Sequence, residues 1–497
     1  MKLFLLGAVG LLLMSSCRST PPIPRPAVAD ETTFLGLAVA EASRLTDQLA
    51  RAELYRQITL GYQAIGDEAS MRSVAGAGLQ LARAAGATEQ SIRVRLGLAP
   101  QLAAAGEDAS ARDALEAGLQ FVSSVDDPGV RADLLPLLVQ SALRSDEPAR
   151  PILRRSVDEA YVIDDPEYRA EALIRIAEVY QGAETFLSVT SFIHQASPAV
   201  RSVAGRFRRA QLFARLADLA ERSGEAVLAA RLISSATEEI DRQGGPTSED
   251  ESEHLVTTVT HVARLGRRED ALRFVELFAL PHDGVRAMIG IAEAAQTDAA
   301  RLNHLRHASQ LAQRVEDTPH FVDVHIRLAA AYDQAAVPPR ANEHIDRAAQ
   351  VLASAPDLYA RIELPGELVQ VLVRMDRLQS VREILLQAPD EYVRGAVAVR
   401  AAEQLIADGR LGLADDFLTI ALIASDEAAY LADPLRRAIV AGFARTGSIR
   451  LAIRTVERIT DALQRAEAVT VLAVVAEPTG AVIPIYRADL ASVLASR

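Results

Sequence analysis

The chain has 497 residues, a net charge of −13, 49% hydrophobic residues and only 4% aromatics. That balance suits a folded body rather than a disordered one, and its sign argues against a nucleic-acid surface, which needs basic groups to meet phosphates. Cys17 is the only cysteine, which excludes an internal disulfide, and the chain beyond Lys2 has no lysine, which excludes from its body a lysine Schiff base and the lysine of a phosphate-cradling P-loop.

The first element is an apolar run from Leu3 to Met14, preceded by Lys2 and followed by Ser15, Ser16 and Cys17. It is too short to cross ~30 Å of hydrocarbon as a helix, and its layout is that of an export signal with small residues at the cleavage site. The segment resembles a bacterial lipoprotein signal, with Met14 where the usual lipobox has leucine. That resemblance implies cleavage after residue 16, lipid attachment at Cys17 and, with Arg18 rather than Asp next, sorting to an outer membrane. An ordinary signal peptide with an incidental cysteine is the alternative. Residues 17–32 then read as a tether, with four prolines between Arg18 and Pro26 favouring extended polyproline geometry.

Residues 33–50 are predicted to form a capping helix, and 51–460 a series of helical repeats. The set Leu216, Ala217, Ala220, Gly224, Ala229, Ile233, Ala236 recurs as Ala401, Ala402, Leu405, Gly409, Ala414, Leu418, Ala421 and as Ile439, Val440, Phe443, Gly447, Ala452, Val456, Ile459. A variant with Ala336 at the turn runs from Leu328 to Ala348, and a weaker copy from Leu98 to Gly118. The second anchor falls at Thr59, Ala99, Val139, Ala177, Ala217, Val259, Ala292, Ala329, Val369, Ala402 and Val440, a mean period of about 38 residues. Amphipathic helix pairs of this kind cannot bury their faces alone and must stack. Asp followed by Pro, or Pro followed by Asp, marks helix starts at Asp127, Asp165, Asp390 and Asp433. Arg131, Arg169, Arg394 and Arg437 follow them and are expected to pair with acids of a neighbouring unit, the other reading being a ladder for an anionic ligand.

These offsets resemble the tetratricopeptide repeat, although the period exceeds its usual 34 residues and leaves a neighbouring helical-hairpin class open. The expected fold is an all-α, right-handed solenoid of about eleven hairpins with terminal caps, elongated in shape. Residues 241–253 interrupt it as a polar loop or hinge. Residues 461–497 read as a degenerate repeat, starting with a first helix over 461–476, and a C-terminal cap over 486–495.

No catalytic motif, metal-ligand spacing or cofactor fingerprint occurs in the sequence. His304 and His307, and His320 and His325, lack the HExxH context, so the chain is read as non-enzymatic, with no metal or cofactor. The resemblance to tetratricopeptide repeats implies that the first helix of each hairpin lines a concave groove. Its partner-facing positions include Glu53, Arg93, Glu171, Glu178, Gln181, Gln211, Asp218, Glu221, Glu293, Asp323, Glu363 and Glu403. Acids outnumber bases there, so a basic or mixed polar protein or peptide segment is the expected partner, with no nucleic acid. A solvated polar face is the plainer alternative. The overall expectation is a membrane-anchored, exported scaffold facing the periplasm or surface, with a small-molecule-binding module as the alternative.

Overall fold

The computed structural model describes residues 26–28, 32–145, 150–182, 189–241, 244–428, 431–478 and 484–495. The expected signal, Cys17 and most of the tether lie outside them. The described residues form 25 α-helices and no strand, and the chain is an all-α repeat solenoid.

Helix α1 (Phe34–Ser43) comes first, followed by hairpins α2 (Gln48–Ile65) with α3 (Glu68–Ala84), α4 (Glu89–Ala104) with α5 (Asp108–Ser124), and α6 (Pro128–Leu143) with α7 (Arg150–Tyr161). Next are α8 (Pro166–Gln181) with α9 (Val189–Ser202), α10 (Arg206–Arg222) with α11 (Ala226–Asp241), and α12 (Glu249–Arg264) with α13 (Arg268–Val275). Then come α14 (Pro281–Glu293) with α15 (Asp298–Ala312), α16 (Thr318–Gln334) with α17 (Pro338–Ser354), and α18 (Glu363–Arg374) with α19 (Leu378–Gln387). The chain ends with α20 (Glu391–Ala407) and α21 (Leu411–Glu427), α22 (Ala432–Thr446) and α23 (Ile449–Glu457), then α24 (Ala462–Ala476) and α25 (Pro484–Ala495).

Each anchor residue read from the repeat is buried on a first helix; Ala99, Val139, Ala177, Ala217 and Ala402 are fully enclosed. Asp127, Asp165 and Asp390 cap α6, α8 and α20, each accepting first-turn backbone N–H groups. Asp433 departs from the expectation. It lies inside the first turn of α22, and its carboxylate accepts the N–H groups of Thr460 and Asp461 and the Thr460 hydroxyl, tying that unit to the next. The cap expected over 33–50 is also shorter than read: α1 stops at Ser43, and Asp47 starts α2. Likewise the polar stretch 241–253 is in part helical: Asp241 ends α11, and Ser248 caps α12, which takes in residues 249–253.

The first helices pack against one another in an unbroken cycle, α2 to α4, α6 and so on to α24, and α24 packs back against α2. The elongated, open-ended array expected from the sequence is therefore closed into a ring. Neighbouring first helices pack closely all the way round, while few neighbouring second helices do, so the first helices hold the inner circumference. There are twelve of them, one more than the repeat count, and the twelfth, α24, takes its hairpin partner from the other end of the chain: α1 packs on α24 as a second helix would. Helix α25 packs on α23 and α1.

Burial explains why this seam holds. Phe34, Leu35, Ala38, Val39 and Ala42 are fully enclosed. The three large ones contribute ~1.5–3 kcal/mol each, so α1 docks with on the order of 6 kcal/mol. Gly61 on α2 permits the close approach, since a Cβ there would lie 2.5 Å from a Leu35 methyl and 3.4 Å from Val474. Polar contacts set the register. The Phe34 N–H donates to Glu477, Arg44 donates to the Leu494 carbonyl, and buried Glu41 accepts from Arg44 and Arg465.

Candidate functional site

Twelve helices set about 9 Å apart enclose a circle of axes roughly 35 Å across; removing one helix thickness of about 10 Å leaves a bore of about 25 Å. Its wall is the exposed face of the first helices, and most of the residues chosen from the repeat lie on it. Most of the charged ones are paired rather than free. Glu171 accepts two hydrogen bonds from Arg215 at 2.8 Å, and Glu178 accepts one at 2.9 Å from the same guanidinium. Arg208 joins Glu167 at 2.8 Å and donates to Gln211 at 2.6 Å. Glu53 pairs with Arg56, Asp218 with Arg222, Asp323 with Arg327, Glu403 with Arg400 and, at 4.0 Å, Glu293 with Arg264. Arg93 bonds Glu89 at 2.8 Å and faces Asp133, which Arg175 holds at 2.6 Å. Glu221 and Glu363 are exposed and have no ion-pair partner among the described residues. The Gln181 side-chain oxygen is buried without a hydrogen-bond partner there.

The acid excess counted from the repeat positions is thus largely neutralised. The residues missed are Arg175, Arg215, Arg327 and Arg400, each two before its second anchor. At about 100° per residue, that position lies only about 40° beyond the arc of the counted ones. A long arginine crosses such a gap easily, either to the preceding unit or along its own helix. The recurrence of Arg at this offset is the signal that would have found them. Arg215 shows the resulting electrostatics: burial works against its charge, but Glu171 and Glu178 outweigh that and hold it above its ordinary pKa.

Open hollows indent the wall among the described residues. One of about 670 Å³ lies between α4, α6 and α8, beside Arg93, Asp133, Gln140, Arg175 and Glu178. A second, about 420 Å³, sits among the starts of α12, α14, α16 and α18, beside Glu253, His282, Arg286, His320 and Glu367. There burial, with Asp323 and Glu363 nearby, pushes the Glu367 carboxyl up against the pull of Arg327. A third of about 380 Å³ includes Thr260, Glu293, Gln334 and Arg374.

The arginines that follow the helix starts are structural. Arg131 pairs with Glu159 at 2.8 Å, and Arg437 pairs with Glu467 of the next inner helix. Arg169 bonds the carbonyl of Ile163, just after α7, and Arg394 bonds that of Leu385, in the last turn of α19. The histidines form no ligand set, and among the described residues no group of three or more His, Cys, Asp or Glu is placed to hold a metal ion. His304 is buried while His307 is exposed. His325 and His344 meet in the core at 2.8 Å between their Nδ1 atoms, and His344 Nε2 lies 3.0 Å from Ser309. His282 stacks on His320 with ring centroids 3.9 Å apart.

No protein-family model and no curated protein matches the chain. Among solved structures it is similar to Ton1535 from Thermococcus onnurineus NA1, at 15% identity over 76% of this chain and 98% of that one, with a TM-score of 0.28. It is also similar to a signal-transduction ATPase with a tetratricopeptide-repeat sensor from Pyrococcus horikoshii, at 14% identity over 82% and 67% with a TM-score of 0.25. A circular tandem repeat protein with novel repeat topology matches at 16% identity over 86% and 99%, with a TM-score of 0.20. Likenesses this distant carry no argument about what the ring does.

Proposed function

We propose that this protein is an exported, lipid-anchored scaffold that holds a polar, charge-mixed segment of a protein partner against the inner wall of its ring. The observation that carries the reading is the wall itself: arginines and carboxylates line its open hollows, joined by Gln140 and Gln334 in two of them. Such a surface offers donors and acceptors of both signs at fixed spacing, which suits a polypeptide of mixed charge. The large aromatics that would stack on sugars or bases, such as Tyr55, Tyr180 and Tyr332, are enclosed in the core. The strongly acidic groove expected from the repeat positions gives way to this mixed one.

Anchoring at a membrane is supported by the order of Lys2, the apolar run and Cys17, and by the proline-rich tether that follows, and the choice of an outer membrane by Arg18 in place of Asp. At ~3.1 Å per residue such a tether reaches on the order of 50 Å, enough to hold the ring clear of a bilayer. The partner test places a photo-reactive amino acid at Gln140 or Gln334 on the inner wall, or at Val227 or Leu386, exposed at 77% and 79%. Both inner positions should cross-link the same partner in the native membrane, and the two exposed positions should not. Capture only at Val227 or Leu386 would overturn the reading.

A further inference from the structure

We infer that the ring encircles its partner: the bound segment runs through the bore and enters from a free end rather than from the side. This rests on the scaffold reading above and adds a topology to it. Lateral access is blocked because the one place where the chain ends meet is closed by α1, whose apolar face is fully buried between α24 and α2. Buried Glu41, paired with half-buried Arg465, locks the same joint. Width selects the guest. A bore of about 25 Å takes one helix, about 10–12 Å across, or an extended strand of chain. It excludes a folded domain of about 100 residues, whose radius of gyration of about 13 Å corresponds to a body roughly 33 Å wide. Duplex nucleic acid fits by width, but the net charge of −13 argues against it. The guest is therefore a single polar stretch of polypeptide, with lysines, glutamates and glutamines to meet exposed wall groups such as Glu221, Arg374 and Gln140.

The test is a threading assay on the detergent-solubilised full chain. The probe is a 40-residue polypeptide of Lys, Glu, Gln and Ser that carries a globular stopper of about 100 residues at one end. It is mixed with the ring, and an identical stopper is then ligated to the free end. The expected result is a complex that survives molar salt, with a dissociation half-life at least about tenfold longer than before ligation. A probe stoppered at both ends before mixing should form no such complex. Equal retention whichever step comes first would overturn encirclement while leaving groove binding in place. A single-stopper probe that fails to bind would overturn it too, and the cross-linking at Gln140 and Gln334 then decides separately whether the scaffold reading stands.

Discussion

Arg465 on the inner helix α24 donates to Glu41 on α1 at 2.7 Å, across 424 positions of sequence. The Glu41 carboxylate is 2% exposed and accepts from Arg44 as well. A buried pair broken from one side leaves the other charge without compensation, at a cost of about 3–5 kcal/mol. Glu41→Ala is therefore expected to loosen the seam by roughly 3 kcal/mol, with faster amide exchange in α1 and α24 before the rest of the ring. Glu41→Ala combined with Arg465→Ala should cost clearly less than the two single changes added. Strict additivity in urea unfolding would mean that the two side chains do not act together.

A charge reversal of Glu171 and Glu178 is expected to weaken the fold before it tests binding, because both brace Arg215. Arg215→Ala should destabilise the chain by about 1–2 kcal/mol, read as a lower urea midpoint. Glu221→Arg and Glu363→Arg break no pair and are the cleaner probes of the bore. They are expected to leave the unfolding midpoint within about 0.5 kcal/mol and to change partner on-rates in a salt-dependent way. An altered midpoint with unaltered on-rates would place binding off the wall.

The helical hairpins were legible because small anchors such as Ala217 and Ala402 recur at a fixed offset, and such spacing allows only a stacked, two-layer packing. Closure was not legible. The partner of α24 lies at the opposite end of the chain, and Phe34 to Ala42 carries no mark that distinguishes a terminal cap from a missing second helix. What decides it is geometry accumulated over twelve small rotations, which no single repeat contains. The wall was half legible: the acids sit where the periodicity places them, but Arg215 and its equivalents reach in from the edge of the counted arc.

Acid should act first near the buried histidine pair. Burial pushes His325 down to about 3, with His344 adding to the effect, and burial pushes His344 down to about 4 against the pull of Glu343 and with the help of Arg347 and Arg340. Both imidazoles are neutral in the fold and take up protons near 6.5 once unfolded. Their contribution is thus full above about pH 6.5 and lost as pH falls through about 4 for His344 and about 3 for His325. The unfolding temperature is expected to drop across that window, and less steeply in His325→Phe/His344→Gln. Parallel slopes for the two proteins would remove the pair from the account.

Lipid attachment at Cys17 has a direct readout. An alkyne fatty acid fed to the producing cells should label the protein, and Cys17→Ser should abolish the label and release the protein from membranes. A Cys17→Ser protein that remains labelled and membrane-bound would refute the anchor.

The ring itself is tested most directly by electron micrographs of the purified full chain in negative stain. Two helical layers of about 10 Å each around the bore give an annulus roughly 65–70 Å across, with a stain-filled centre in face views. Class averages showing that annulus are the expected result. An open arc or an elongated superhelix, with α1 and α24 at opposite ends, would contradict it.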